Sequence, residues 1–234
     1  MSSNTSQPGF QLYYWPIPFR GCFVSYLFAY RDVPLLQEAS YEENISLMSR
    51  HPGEQDVPFM GPPVIRDLES GRTLSQMPAI VFYVSRELDF MPEDPFDVAM
   101  CMKILMDCND VLVEICRNNG STMWDRKDWV QFRSQRLPRW MQIFEESLKR
   151  GHIGKEPVSF ADIGVFALFG NMTRCLPELE ADLLRLGKAL QVLHVLLDVR
   201  DDLVKQRVDK GGILGEAVKD EFLQRTSREV HRPH

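Results

Sequence analysis

Lysine is absent from the first hundred residues: the first is Lys103, and before it positive charge rests on Arg20, Arg31, Arg50, Arg66, Arg72 and Arg86. With a net charge of −6 over 234 residues, the chain lacks the concentrated basic surface that displaces counterions from a phosphate backbone, which argues against nucleic acid as a partner. It also lacks a long apolar run. The longest, around Ile163 to Phe169, is far below the ~20 residues that span a bilayer, so a buried core helix is expected there and no membrane partner. Met1 to Pro8 carries neither a basic stretch nor an apolar run of signal length; a frayed terminus and a cytoplasmic protein are expected. Cysteine is sparse. Cys22, Cys101, Cys108, Cys116 and Cys175 are an odd number without metal-ligand spacing, and Cys101 and Cys108 lie ~10 Å apart along a helix axis. That pattern argues against a disulfide scaffold, and no metal site is expected. Repeats and low-complexity tracts are missing too, and the Asn171-Met172-Thr173 triplet, an acceptor for glycosylation only in a secreted chain, reads as chance.

What is present is ordinary globular chemistry: 44% hydrophobic and 26% charged residues, in a length that suits one large domain or two small ones with their own cores. Phe10 to Trp15 reads as an aromatic-rich strand, Pro16 to Pro18 breaks it, and Gly21 to Tyr30 reads as an apolar helix. Leu36 to Pro58 mixes Glu, Asn, Ser, Pro and Gly and predicts a weak strand followed by an irregular loop. Val64-Ile65 and Thr73-Leu74 predict two short strands about the Glu69-Ser70-Gly71 turn, and Pro78 to Leu88 a helix with proline near its start. Two prolines and three acids between Leu88 and Pro95 mark a boundary, which divides the chain into residues 1–88, a linker 89–95, and an all-helical region 96–234.

In that second region Cys101, Ile104, Cys108, Val111 and Ile115 recur at helical spacing, with Lys103, Asp107, Asp110 and Glu114 on another face. A further helix is expected from about Trp124 to Lys149-Arg150, kinked or divided at Pro138 and stopped by Gly151. Ser159-Phe160-Ala161-Asp162 reads as a capping box: the Ser159 hydroxyl accepts the Asp162 N–H, the Asp162 carboxylate reaches back to the Ser159 N–H, and Val158 and Ile163 form a staple. Trp124, Trp129 and Trp140 are expected in cores or at a dimer contact. The charged tail after Lys210, opened by Gly211-Gly212, is expected to be less ordered.

Pro62-Pro63-Val64-Ile65-Arg66-Asp67, Arg72 to Ile80 and the Ser159 box, in that order and spacing, resemble the cytosolic glutathione transferase superfamily across nearly the whole chain, as a tyrosine-type, bacterial-like and divergent member. The resemblance implies an N-terminal thioredoxin-like α/β domain followed by an all-α helical bundle, with glutathione as co-substrate. Leu12-Tyr13-Tyr14-Trp15-Pro16 is similar to the end of the first strand in the tyrosine-using classes, which makes Tyr14 the catalytic candidate. The loop Ile17 to Arg20 has no Ser, Thr or Cys, and Cys22 just beyond it is the runner-up; the alternatives are a core aromatic and a buried thiol.

For glutathione itself the resemblance implies Pro63 as the cis-proline, Gln76 with Met77 at the γ-glutamyl carboxylate, Arg50 at the glycyl carboxylate, and Asp107 at the glutamyl ammonium. Arg50 and Asp107 could equally be solvated surface charges. Two positions depart from the family pattern. Pro62, before the cis-proline, has no N–H to give, and Met77 stands where the family has a serine. Trp15 and Phe19 are the candidates for a hydrophobic-substrate pocket. The function implied is conjugation of glutathione to a small hydrophobic electrophile, or glutathione-dependent peroxide reduction, in a homodimer; the alternative is a non-catalytic module of the same fold.

Overall fold

The computed structural model describes residues 9–17, 19–117, 122–123 and 125–175. The expected architecture, a thioredoxin-like sheet with helices followed by a helical region, is the one observed. The first strand, β1 (Phe10–Tyr13), leads into α1 (Arg20–Tyr30), β2 (Leu36–Glu38), α2 (Tyr41–Ser49), β3 (Val64–Asp67), β4 (Thr73–Ser75) and α3 (Met77–Glu87). The sheet order is β2-β1-β3-β4, with β1 parallel to β2 and antiparallel to β3, and β3 antiparallel to β4. Register places Leu12, Ile65 and Leu74 across one row, and Tyr13, Val64 and Ser75 across the next. Because side chains alternate between faces along a strand, the first row packs against α1 and α3 and the second faces the other way.

Eight of the eleven α1 residues are buried, from Gly21 to Phe28. A helix that is apolar nearly all round belongs inside a core; α1 lies between α3 and α7 (Phe160–Cys175). Phe23, Leu27 and Phe28 are at most 1% exposed, and each such side chain contributes about 1.5–3 kcal/mol of transfer free energy. This interior fixes where α1 begins, which matters for the site below.

Three local expectations are corrected. Within the stretch read as an irregular loop, the weak strand is β2, but Tyr41 to Ser49 form a helix. Its start is Ser40, whose Oγ accepts the Glu43 N–H at 3.2 Å, with Glu42 and Glu43 in the first turn; the acids complement the positive end of the helix dipole. A short 3-10 turn, Pro52–Glu54, follows. Second, the region after the proline-rich segment is not wholly helical: after α4 (Pro95–Ile115) come the paired two-residue strands β5 (Cys116–Arg117) and β6 (Thr122–Met123). Third, in the Ser159 box the Ser159 N–H does donate to the Asp162 carboxylate, at 2.9 Å, but the Ser159 hydroxyl donates to that carboxylate too, at 2.7 Å, rather than accepting an N–H. The buried Asp162 also takes the Gly154 N–H at 2.6 Å. Burial pushes the Asp162 carboxyl up, and these donors oppose the shift.

The helix expected to be kinked or divided at Pro138 is divided: α5 (Arg126–Gln131), a π-helical turn Phe132–Arg136, and α6 (Leu137–Lys149). Proline supplies no N–H and crowds the preceding carbonyl, so the ladder is interrupted one turn ahead of it. Arg136 and Trp140 both donate to the Glu114 carboxylate, at 2.6 and 2.9 Å, and tie this region to α4. Trp129 is buried and Trp140 half-buried; Trp124 and the tail after Lys210 lie outside the described residues. No helix among the described residues is long and apolar enough to cross a membrane.

Candidate functional site

The register that aligns Tyr13, Val64 and Ser75 also brings the residues next to them to one end of the sheet. Tyr14 follows β1, Pro63 precedes β3, and Gln76 with Met77 passes from β4 into α3. Four of the candidates are thus neighbours by topology. The Pro62–Pro63 peptide is cis. Gln76 takes φ 73°, the left-handed region that most side chains avoid, and caps α3 without a side-chain hydrogen bond. The Met77 side chain is 1% exposed and belongs to the core, so what this residue offers outward is backbone.

Strand alternation separates the two adjacent tyrosines. Tyr13 lies on the outer face and its hydroxyl donates to Gln11 at 2.9 Å. Tyr14 turns inward, 7% exposed, and its hydroxyl oxygen accepts the backbone N–H of Arg20 at 3.0 Å, at the first turn of α1. Accepting that bond leaves the hydroxyl proton to be donated, and no acceptor for it is among the described residues. Burial raises the Tyr14 phenol well above its usual range; Arg20 opposes this, and Cys22 and Cys116 add to it. The hydroxyl therefore stays protonated at neutral pH.

Three residues that the sequence reading passed over hold Tyr14 in place. Asn44 of α2, 1% exposed, donates through Nδ2 to the Tyr14 carbonyl at 3.2 Å and to the Ser40 carbonyl at 2.8 Å. Gly21 lies under the ring: a Cβ there would sit 2.4 Å from Tyr14 Cδ1. Asn171 of α7, 4% exposed, donates to the Phe19 carbonyl at 3.3 Å from 152 positions away. A glycine in the first turn of an otherwise apolar helix was a legible signal, since glycine is unfavourable there without a packing reason. Asn171 carried no local signal.

The remaining candidates are placed elsewhere. Arg50 ends α2 and lines a cleft of about 150 Å³ with Tyr13, Gln55, Phe59, Val64, Arg66 and Thr73, on the outer face of the sheet, which the Tyr14 ring does not line. Asp107 is bound to Lys103 one turn away on α4, at 2.5 Å. Trp15 is half-buried and packs on Tyr41 with ring centroids 5.4 Å apart. Phe19, also half-buried, precedes α1 with the Arg20 guanidinium 5.1 Å from its ring. Cys22 is 4% exposed within the core. Burial pushes the Cys101 and Cys108 thiols up, away from the thiolate form that reacts. Among the described residues no group of three or more His, Cys, Asp or Glu side chains is placed to hold a metal ion.

Comparison with known proteins agrees with this geometry at the level of fold. Residues 100–207 match the family model described as the glutathione S-transferase C-terminal domain. Among solved structures, the chain is similar to prostaglandin synthase D of Nilaparvata lugens, with a TM-score of 0.69 at 19% identity over 86% of this chain and 98% of that one. It is similar to the Pi-class glutathione S-transferase of Onchocerca volvulus, with a TM-score of 0.68 at 16% identity over 86% and 95%. The glutathione S-transferase of Ascaris lumbricoides gives 0.66 at 18% identity over 85% and 97%. No curated protein matches the sequence. A thioredoxin-like sheet that ends in Tyr14, Pro63 and Gln76, followed by helices whose sequence matches that C-terminal domain, gives this chain the fold of the glutathione transferases.

Proposed function

We propose that the protein is a tyrosine-using glutathione transferase that conjugates glutathione to a small hydrophobic electrophile, or reduces a peroxide with it. The observation that carries this reading is the Tyr14 hydroxyl, oriented by the Arg20 N–H and left with a proton to donate. The residues at this end of the sheet suit the tripeptide. The start of α3, uncapped by any side chain, presents backbone N–H groups and the positive end of a helix to a carboxylate. The Pro62 carbonyl accepts an amide N–H and Gln76 supplies a side-chain amide; Arg50 and Asp107, which lie away from this end of the sheet, are proposed for the more distant charges. Trp15 and Phe19 offer apolar surface to the second substrate.

Glutathione supplies the nucleophilic sulfur. A thiol near pKa ~8.5 is a few per cent ionised at neutral pH, and moving it to mostly thiolate takes ~2–3 kcal/mol. One hydrogen bond to a charged acceptor is worth about 1.5–3 kcal/mol, so Tyr14 can provide most of it without changing its own protonation. In conjugation the C–S bond forms as the leaving group departs with its electron pair. In peroxide reduction two thiols give a disulfide, an alcohol and water. The rate should rise with pH through the ionisation of the bound thiol, with no falling limb from Tyr14, whose raised pKa lies beyond the neutral range.

A second reading, a non-catalytic module of the same fold, is favoured by Pro62, which has no N–H, and by Met77, whose side chain is committed to the core. Calorimetric titration with reduced glutathione and a Tyr14→Phe comparison separate the two. Micromolar to low-millimolar binding, with Tyr14→Phe folded but at least tenfold slower on an activated aryl halide, supports the enzyme. Binding absent by calorimetry and thermal shift supports the module, and a Tyr14→Phe rate equal to wild type removes Tyr14 from the mechanism. We also propose a homodimer and a cytoplasmic setting. For the dimer the support is an apolar strip on α4, with Met106 and Val113 39% and 48% exposed on one helix face, beside an apolar groove between Leu74, Pro78, Phe82, Tyr83 and Met102.

A further inference from the structure

The Phe19–Arg20 peptide is held from both sides. Its N–H donates to the Tyr14 hydroxyl at 3.0 Å, while its carbonyl accepts the Cys22 N–H at 3.0 Å and the Asn171 Nδ2–H at 3.3 Å. The Cys22 bond is what any helix start provides. Asn171 is different in kind: it comes from α7, is 4% exposed, and converges on the one peptide that orients Tyr14. An amide bonded at its oxygen is polarised and donates more strongly through its nitrogen, by about 10–30% per bond. The plane of that peptide also sets where the N–H points, and with it the side of the phenol oxygen from which the proton leaves. The groups facing Tyr14 that carry or can acquire charge are Arg20 and Cys22 on α1 and Cys116 after α4; the Asn171 amide adds direction without adding a titratable group.

We propose that Asn171 is a positioning residue for the reaction: through the Phe19–Arg20 peptide it fixes and strengthens the donor that aims the Tyr14 hydroxyl at the thiol sulfur. The proposal rests on the reading of Tyr14 given above. Its burial also separates Asn171 from the glycosylation sense of the Asn171-Met172-Thr173 triplet, since the amide is spent inside the fold.

The experiment compares wild type, Asn171→Ala, Asn171→Leu, Tyr14→Phe and the Tyr14→Phe/Asn171→Leu pair, using reduced glutathione and an activated aryl halide. Leucine has the same number and branching of side-chain heavy atoms as asparagine but no donor, so it tests the bond without opening a cavity should the alanine variant fail to fold. Two readouts are taken. The Arg20 amide proton resonance is expected to move upfield in Asn171→Leu as its hydrogen bond weakens, a change independent of turnover. The apparent pKa of the bound thiol, read from thiolate absorbance, is expected to rise by about 0.5, a roughly threefold loss of thiolate below it. Glutathione affinity should be nearly unchanged, the lost rate should return at high pH, and the second substitution should have no effect on the thiol once Tyr14 is phenylalanine. An unmoved Arg20 amide, an equal loss of rate at every pH, or additive effects in the double variant each overturn the proposal. A Tyr14→Phe protein as active as wild type instead overturns the Tyr14 reading, and the positioning role of Asn171 with it; the Arg20 resonance tells that failure from a missing relay.

Discussion

Gly21 shows how tightly the site is built at the scale of single residues. In a helix the change from glycine to alanine ordinarily stabilises by about 0.5–1 kcal/mol. Here the new methyl would start 2.4 Å from Tyr14 Cδ1 and 2.7 Å from Cγ, and overpacking of a filled core costs about 1–3 kcal/mol. Gly21→Ala should therefore lower the melting temperature and slow the proposed conjugation together, as the ring is pushed off the Arg20 N–H. A gain in stability with full activity would show that the ring has room to move. The same scale explains what could be read in advance. Tyr14 was singled out through the resemblance of Leu12 to Pro16 to a strand end in the tyrosine-using classes, with a core aromatic as the alternative. Asn44 and Asn171 were not: each acts on backbone atoms far away in sequence, and nothing in their neighbours announces which carbonyl they will meet.

At the scale of elements, the hairpin of β3 and β4 is fastened by one carboxylate. Asp67 accepts the Ser70 hydroxyl at 2.6 Å, the Glu69 and Ser70 N–H groups at 2.9 and 3.1 Å, and the Tyr83 hydroxyl of α3 at 3.3 Å. The Ser70 hydroxyl and then its N–H hold the Asp67 carboxyl below its ordinary value. A depressed native pKa means that the unfolded chain binds the proton more readily, so this stabilisation is complete above about pH 4, the ordinary carboxyl pKa, and is lost as pH falls through the native value. Acid unfolding followed by circular dichroism should show a shallower decline for Asp67→Asn than for wild type below about pH 4. Parallel curves would leave Asp67 without a part in acid stability. Elements with a strong period or a proline signal were legible in the sequence, α4 and the division at Pro138 among them. The α2 helix was not, because its 41–49 segment has a thin apolar face and its Ser40 cap stands among residues that also suit loops. The two-residue strands β5 and β6 are too short to leave any period to read.

On the scale of the whole molecule, the apolar strip of α4 and the adjoining groove make a prediction about assembly. Lysine placed at Met106, within the strip, should shift the proposed dimer to a monomer in analytical ultracentrifugation while the fold persists, because the side chain is already 39% exposed in one subunit. An unchanged sedimentation coefficient would move the interface elsewhere. The fold class was legible as a whole because order and spacing of motifs survive where single contacts do not. The connection between the sheet and the helices carries a different message. Arg31 donates through Nε to the Leu88 carbonyl at 2.9 Å and through its terminal nitrogen to the Asp89 carbonyl, with its guanidinium 4.4 Å from the Phe90 ring. Phe90 is 2% exposed, and its carbonyl accepts the Phe160 N–H at the head of α7. A protease needs a stretch of pliant chain, and exposed loops and linkers are where it usually finds one. Rich in proline and acid, this segment looks like such a place, yet its backbone is already engaged at both ends. Limited digestion should leave wild type uncut between Leu88 and Pro95, whereas Arg31→Ala should be nicked there first, giving two fragments that mass spectrometry can assign; equal cutting of both proteins would mean that the clamp does not guard the chain.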